Sequence, residues 1–241
     1  MRIGIIGAGN IGATAARLFV EAGHEVAVSN SRGPESLRAL VAELGPRARA
    51  ETVDGAAEFG EVILLAVPWR TPEALPSPAR VQGKVVIDAM NPYSSSGGLA
   101  DLGDSSSSEE TAKRLPGARL VKAFNTIWYQ HLATRGRPDL PLGERHAIFV
   151  AGDDAEAKGV VFQLIEDIGF AAVDSGTLRD GGRRQQPNAP LYNTEMTARE
   201  GEGLAAEARV EALGPGLSGL GSRPSAAESR EPDGREREGA P

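Results

Sequence analysis

The feature that most constrains this chain is a glycine-spaced turn close to its start. Residues 1–32 read MRIGIIGAGNIGATAARLFVEAGHEVAVSNSR. A short apolar run with β-branched residues, 2–6, leads into Gly7, Gly9 and Gly12, spaced G-x-G-x-x-G. A small-residue amphipathic run with Ala13, Ala16, Leu18 and Phe19 follows, then a second apolar run over residues 25–29. Strand, glycine turn, helix and strand in that order form the unit that binds dinucleotides. Gly7 permits the tight turn, Gly9 lets a pyrophosphate approach the backbone, and Gly12 lets the helix pack closely on the sheet. The start of the helix offers free N–H groups and the positive end of its dipole to the phosphates. A Gly-rich turn of purely structural use is the alternative.

The end of the second run bears on which dinucleotide is bound. NAD-binding chains usually place Asp or Glu there for the ribose 2′-OH, whereas an Arg nearby accommodates a 2′-phosphate. This chain has Ser29, Asn30, Ser31 and Arg32, with no acid until Glu35. Arg32 can pair with a phosphate bidentately, and Ser31 can donate a hydrogen bond to it. The pattern reads as NADP(H); a solvated polar loop is the alternative.

Composition narrows the class further. The 241 residues are 40% hydrophobic and 24% charged, enough to bury a sizeable core in one large or two small domains. There is no cysteine, which excludes disulfides, thiolate catalysis and Cys-ligated metals. A net charge of −7 disfavours nucleic acid as a partner. No apolar run is long enough to span a bilayer, and the initial apolar run is used up as a strand. No membrane association and a cytoplasmic location are expected.

Further along, apolar runs alternate with helical periodicity, so the expected class is α/β, a doubly wound and mostly parallel sheet. Pro34 and Glu35 suit a helix start, and a short third strand falls over residues 48–53, with Asp54 able to cap the helix after it. Residues 61–67, EVILLAV, read as a central strand buried on both faces. Ligands in open parallel sheets lie beyond the carboxyl ends of strands, so Val67, Pro68 and Trp69 are candidates to touch the cofactor; Trp69 can equally be a packing aromatic. Asn91 ends the strand at 84–89 and can bond a ribose or substrate, or cap a turn. Residues 94–108 read as a mobile Ser/Gly loop. Asn125 and Thr126 follow a strand at 119–124, on the same edge as Pro68 and Asn91. Strands at 145–151 and 170–173 complete the sheet. Residues 1–177 form the expected nucleotide-binding domain, 178–200 a short extension, and 201–241 a low-complexity, disordered tail with one weak helix over 204–213.

The stretches GAGNIG, SNSR, AVPW, DAMNP and KAFNT, taken together and in this order, resemble the NADPH-dependent coenzyme F420 reductases (F420:NADP oxidoreductases). The resemblance runs from residue 1 to about residue 192. It implies a single dinucleotide-binding domain whose small C-terminal extension helps form a deazaflavin pocket. It places the NADP-contacting turn on Gly9, Asn10 and Ile11, the 2′-phosphate site on Ser31 and Arg32, and an apolar contact on Val67, Pro68 and Trp69. The loop near nicotinamide and deazaflavin falls on Asn125 and Thr126. Ser36 and Asn125 depart from the Lys and His often found there.

The resemblance implies hydride transfer between nicotinamide and coenzyme F420, a small-molecule redox co-substrate, with placement as the protein's task. Other acceptors stay open: a flavin, an imine or a small carbonyl. So does a non-catalytic NADP(H)-binding domain. A homodimer is compatible with the pattern. No metal site is expected, because His24, His131 and His146 are far apart in sequence; each reads as structural or solvated, with His131, which follows a proposed site loop, the alternative candidate for a proton donor.

Overall fold

The structure is a computed structural model, and it describes residues 1–212. Eight strands form one sheet: β1 (Arg2–Ile6), β2 (Glu25–Ser29), β3 (Ala48–Ala50), β4 (Val62–Leu65), β5 (Val85–Asp88), β6 (Arg119–Lys122), β7 (Ala147–Gly152) and β8 (Ala171–Gly176). Among the described residues nine α-helices accompany them: α1 (Asn10–Glu21), α2 (Arg38–Leu44), α3 (Val53–Phe59), α4 (Pro78–Val81), α5 (Ser107–Arg114), α6 (Tyr129–Thr134), α7 (Ala155–Asp167), α8 (Asp180–Arg184) and α9 (Ala198–Ala212). The strand order is β3-β2-β1-β4-β5-β6-β7-β8. The winding reverses between β1 and β4, which leaves a crevice at their carboxyl ends.

Both faces of the sheet are covered, which is why its central strands are apolar without alternation. Ile3, Ile5, Val28, Leu64 and Ile87 face Ala16 and Phe19 of α1 and Val161 and Leu164 of α7. Ala27, Ile63, Leu65 and Val86 face Ala56 and Ala57 of α3, with Val81 and Leu115. A smaller cluster joins Phe149 and Val173 to Leu191, Ala198 and Ala205.

The expected α/β doubly wound sheet is present, with local corrections. β7 runs antiparallel to β6, and β8 runs parallel to β7. Strand direction leaves no mark on an apolar run. The cap of α3 is Thr52, whose hydroxyl accepts from Gly55 N at 3.0 Å, not Asp54. Asp54 instead accepts from Ser77 N and Oγ at 2.8 and 2.9 Å, tying α3 to α4.

The Ser/Gly stretch does not stay a loop to its end. Ser106, Ser107 and Ser108 are fully buried, and Ser106 and Glu109 close a reciprocal capping box on α5. The serines sit against Gly182 of α8, where an added side chain would meet Ser106 and Ser108. The first part of the expected tail, residues 201–212, is helical instead, continuing α9, whose Ala198 and Ala205 bury against β7 and β8. Residues 213–241, where the rest of that tail was expected, lie outside the described residues. Among the described residues, no helix is long and apolar enough to cross a membrane.

Candidate functional site

A cleft of about 710 Å³ opens over the carboxyl ends of β1, β2 and β4, lined by Gly7, Gly9, Ser31, Arg32, Val67 and Pro68 among others. The glycines beneath it differ in what they do. Gly7 has φ +110°, and a Cβ there would lie 2.4 Å from the Ala66 carbonyl oxygen. A Cβ on Gly12 would lie 1.8 Å from the Gly7 carbonyl oxygen. At Gly9 nothing of the protein comes within 4 Å of that position. The fold requires Gly7 and Gly12; at Gly9 the absent side chain leaves the backbone open to the cleft.

Gly9 also caps α1, with no side-chain hydrogen bond to the first turn and no acidic residue in it. By contrast α3, α5 and α7 are capped by Thr52, Ser106 and Asp154. The first N–H groups of α1 are thus left for an anion, at the end of the helix where anions are favoured. Across the cleft, Asn30 shapes the loop after β2. Its Oδ1 accepts from Arg32 N at 2.9 Å, and its Nδ2 donates to Ser36 Oγ at 2.9 Å. Ser36 therefore braces the loop. Among the described residues the exposed Arg32 guanidinium has no ion-pair partner.

A second chamber of about 300 Å³ continues past the first turn of α1, which contributes Asn10 and Ile11 to its wall. Asn91, Asn125, Thr126, Trp128, Tyr129 and Tyr192 line the rest with neighbouring residues. The two amides lock together: Asn91 Nδ2 donates to Asn125 O at 3.0 Å, and Asn125 Nδ2 donates to Asn91 Oδ1 at 3.1 Å and to Gln185 O at 2.7 Å. Phe124, just before, has φ +65°, a left-handed conformation that is strained for a bulky side chain. The strand end thereby turns sharply, with the Phe124 ring in the core and Asn125 at the chamber.

The chamber stands on a buried ion pair. Asp88 and Lys122, both fully buried, end β5 and β6 with Oδ2 and Nζ 3.3 Å apart. Asp88 Oδ1 accepts from Met90 N at 3.0 Å, and Lys122 Nζ donates to Met90 O. Together they clamp the peptide groups of Met90, immediately before Asn91. Burial lowers the Lys122 ammonium pKa below its usual value, against the pull of Asp88.

Tyr192 and Asn193 form the far wall. Asn193 N donates to Thr126 O at 2.9 Å, and the Tyr192 hydroxyl lies 3.2 Å from that of Tyr93. Burial, followed by the bond to Tyr93, raises the Tyr192 phenol pKa above its ordinary value.

Residues 2–92 match the family described as NADP oxidoreductase, coenzyme F420-dependent. A hypothetical protein from Sinorhizobium meliloti shares 32% identity and a TM-score of 0.71, over 82% of this chain and 95% of that one. The chain belongs to this oxidoreductase family. A candidate F420-dependent NADP reductase from Arthrobacter shares 25% identity at a TM-score of 0.64, over 89% of this chain and 95% of that one. Metalloreductase STEAP3 of the rat is 30% identical over 178 residues. That is 73% of this chain but 34% of the rat protein, so the chain spans about a third of that relative.

The family match covers the whole first cleft and reaches Asn91; Asn125, Thr126 and Tyr192 lie beyond it. Of the residues singled out in the sequence, Gly7, Gly9, Ser31, Arg32, Val67 and Pro68 meet at the cleft, and Asn10, Ile11, Asn91, Asn125 and Thr126 meet at the chamber. Gly12 lies beneath, as packing. Trp69 is a correction: its indole N–H donates to Ser107 O at 3.3 Å, and Arg114 stacks 4.4 Å from its ring, so it faces α5. Pro68 turns the chain between the two environments. His131 takes the structural of its two readings, since it does not line the chamber; its Nε2 lies 3.3 Å from Glu195. His24 is held by the N-terminal amine and Asp167.

Sequence reading missed Asp88, Lys122, Tyr93, Tyr192 and Gln185. The ion pair had a signal: opposite charges ending two adjacent apolar runs, whose register sets Asp88 beside Lys122. The tyrosines and Gln185 had none, because they meet through a return of the chain from the far side of the sheet.

Proposed function

We propose that this member of the NADP oxidoreductase family transfers hydride between NADP(H) and a deazaflavin, coenzyme F420. The observation that carries the reading is that the two compartments adjoin across one helical turn: Gly9 borders the cleft, and Asn10 and Ile11 border the chamber. A dinucleotide laid along that turn has its pyrophosphate at the uncapped start of α1 and its 2′-phosphate at Arg32 and Ser31. Val67 and Pro68 then supply apolar contact in the cleft, and Asn91, Asn125 and Thr126 border the nicotinamide. The division follows: residues 1–177 bind nucleotide, and 178–200 complete the chamber.

NADPH when bound supplies the hydride; this chain supplies placement. Arg32 and the α1 N–H groups fix the phosphates. The braced Asn91–Asn125 pair gives a rigid polar wall, and Trp128 and Tyr129 offer aromatic faces for a flat ring. Such fixed walls favour the close approach of about 3–3.5 Å that hydride transfer needs.

The likeness to a metalloreductase favours a second reading, in which NADPH reduces an acceptor other than a deazaflavin, such as a flavin, an imine or a small carbonyl. One comparison separates the readings: NADPH is mixed with the protein and either F420 or FMN, and loss of acceptor absorbance is followed. Reduction of F420 supports the first reading. Turnover with FMN alone, or with an imine or carbonyl alone, overturns it. Tight NADPH binding without turnover of any acceptor would mark a non-catalytic nucleotide-binding domain.

A further inference from the structure

Hydride delivery to an unsaturated acceptor pushes an electron pair onto a conjugated nitrogen or oxygen, which then needs a proton. The chamber holds few groups able to give one. The Asn91 and Asn125 amides are spent on each other and on Gln185 O. An alcohol such as Thr126 is far too weak an acid. The Tyr129 hydroxyl accepts from Gln130 Nε2 at 3.4 Å on the exposed side.

Tyr192 differs in its setting. Buried Leu191 anchors it on one side, and the Asn193–Thr126 backbone bond fixes it on the other. Its hydroxyl shares one hydrogen bond with Tyr93, a residue 39% exposed. Two hydroxyls joined by one bond leave one O–H over. With Tyr93 as donor, the spare O–H belongs to Tyr192, at the chamber wall.

We propose that Tyr192 is the acid that protonates the acceptor and that Tyr93 links it to solvent. The inference rests on the hydride-transfer reading above. Hydride passes from nicotinamide C4 to the electrophilic carbon of the acceptor, and the acceptor's π pair moves to its heteroatom. The Tyr192 O–H bond breaks to protonate that atom. The phenolate left behind accepts the Tyr93 hydrogen bond and regains a proton from water through it. The sum is NADPH, a proton and acceptor in, NADP⁺ and reduced acceptor out. Burial raises the Tyr192 phenol pKa, so the hydroxyl stays protonated through the neutral range and yields its proton only to a strongly basic atom, such as the heteroatom that receives the displaced electron pair.

The test uses Tyr192→Phe and Tyr93→Phe in the full chain, with F420 and FMN as parallel acceptors. For Tyr192→Phe the Kd for NADPH stays at the wild-type value, while single-turnover hydride transfer slows about 100-fold. Added small-molecule acids restore that rate in proportion to their concentration, which a merely structural role would not allow. Tyr93→Phe loses less. Independently of turnover, acceptor binding perturbs the tyrosine ultraviolet absorption of wild type, and the perturbation is absent in Tyr192→Phe. An undiminished rate in Tyr192→Phe, or a slow rate that no added acid rescues, overturns the inference and leaves the hydride reading standing. A wild-type protein that binds NADPH and reduces neither acceptor overturns both.

Discussion

Asp88 and Lys122 lie side by side on adjacent parallel strands, wholly out of water, with their charges 3.3 Å apart and both bonded to the peptide groups of Met90. A pair so buried gains little net stability from its own attraction, but removing one partner strands the other. Lys122→Met is expected to cost about 3–5 kcal/mol in denaturant unfolding. Adding Asp88→Asn, which keeps an acceptor for Met90 N, should recover most of it. A single variant as stable as wild type would show that the pair is not ionised.

Arg32 stands exposed with no ion-pair partner among the described residues, so its removal should leave the fold alone. A charged hydrogen bond to phosphate is worth about 1.5–3 kcal/mol, or roughly 10- to 150-fold in Kd. Arg32→Ala is expected to weaken NADPH binding by that factor and NADH binding little. Calorimetry with both nucleotides checks this; equal weakening would remove Arg32 from the 2′-phosphate site.

The turn glycines should separate stability from binding. Gly12→Ala drives a methyl into the Gly7 carbonyl and is expected to lower the thermal midpoint sharply. Gly9→Ala meets no protein atom, and the φ of −77° is open to alanine. It should keep nearly the wild-type midpoint, less a small capping loss, and lose NADPH affinity. A Gly9→Ala protein that binds normally would mean the phosphates lie elsewhere.

His146 supplies a pH dependence. Burial lowers its pKa from the ordinary 6.5, with Arg135 and His131 adding to the effect and Glu195 opposing it. A lowered folded value means the unfolded chain binds the extra proton first as pH falls. The stability is therefore complete above about pH 6.5 and declines below it, through the folded value. His146→Phe, which can keep the edge-on contact with Phe170, should flatten the fall in thermal midpoint between pH 7 and 5. An unchanged slope would assign the acid sensitivity to other groups, with His24, likewise lowered by burial, the first to test.

Much of the first cleft was legible in the sequence because its determinants are local. Gly7, Gly9 and Gly12 act within one turn, and Ser31 and Arg32 follow directly from β2. The chamber was less legible. Asn91 and Asn125 could be placed at strand ends, but their mutual bond depends on β5 and β6 being neighbours. Trp69 was ambiguous for a physical reason: the residue after Pro68 can face the cleft or α5, and Ser107 O and Arg114 decide it. The buried serines 106–108 read as loop because their composition is polar. What buries them is α8, seventy residues further on. The direction of β7 was equally out of reach, since an apolar run pairs as well either way.

The twist at Phe124 bears on how the chamber behaves. Its left-handed φ of +65° would suit glycine, yet the residue carries a ring that meets Phe19 of α1 edge-on, with centroids 6.3 Å apart. A glycine there would relax the torsion and leave a joint free to swing. With phenylalanine the bend is bolted to the same helix whose first turn separates the two compartments, so Asn125 keeps a stiff bearing on whatever ring lies against it.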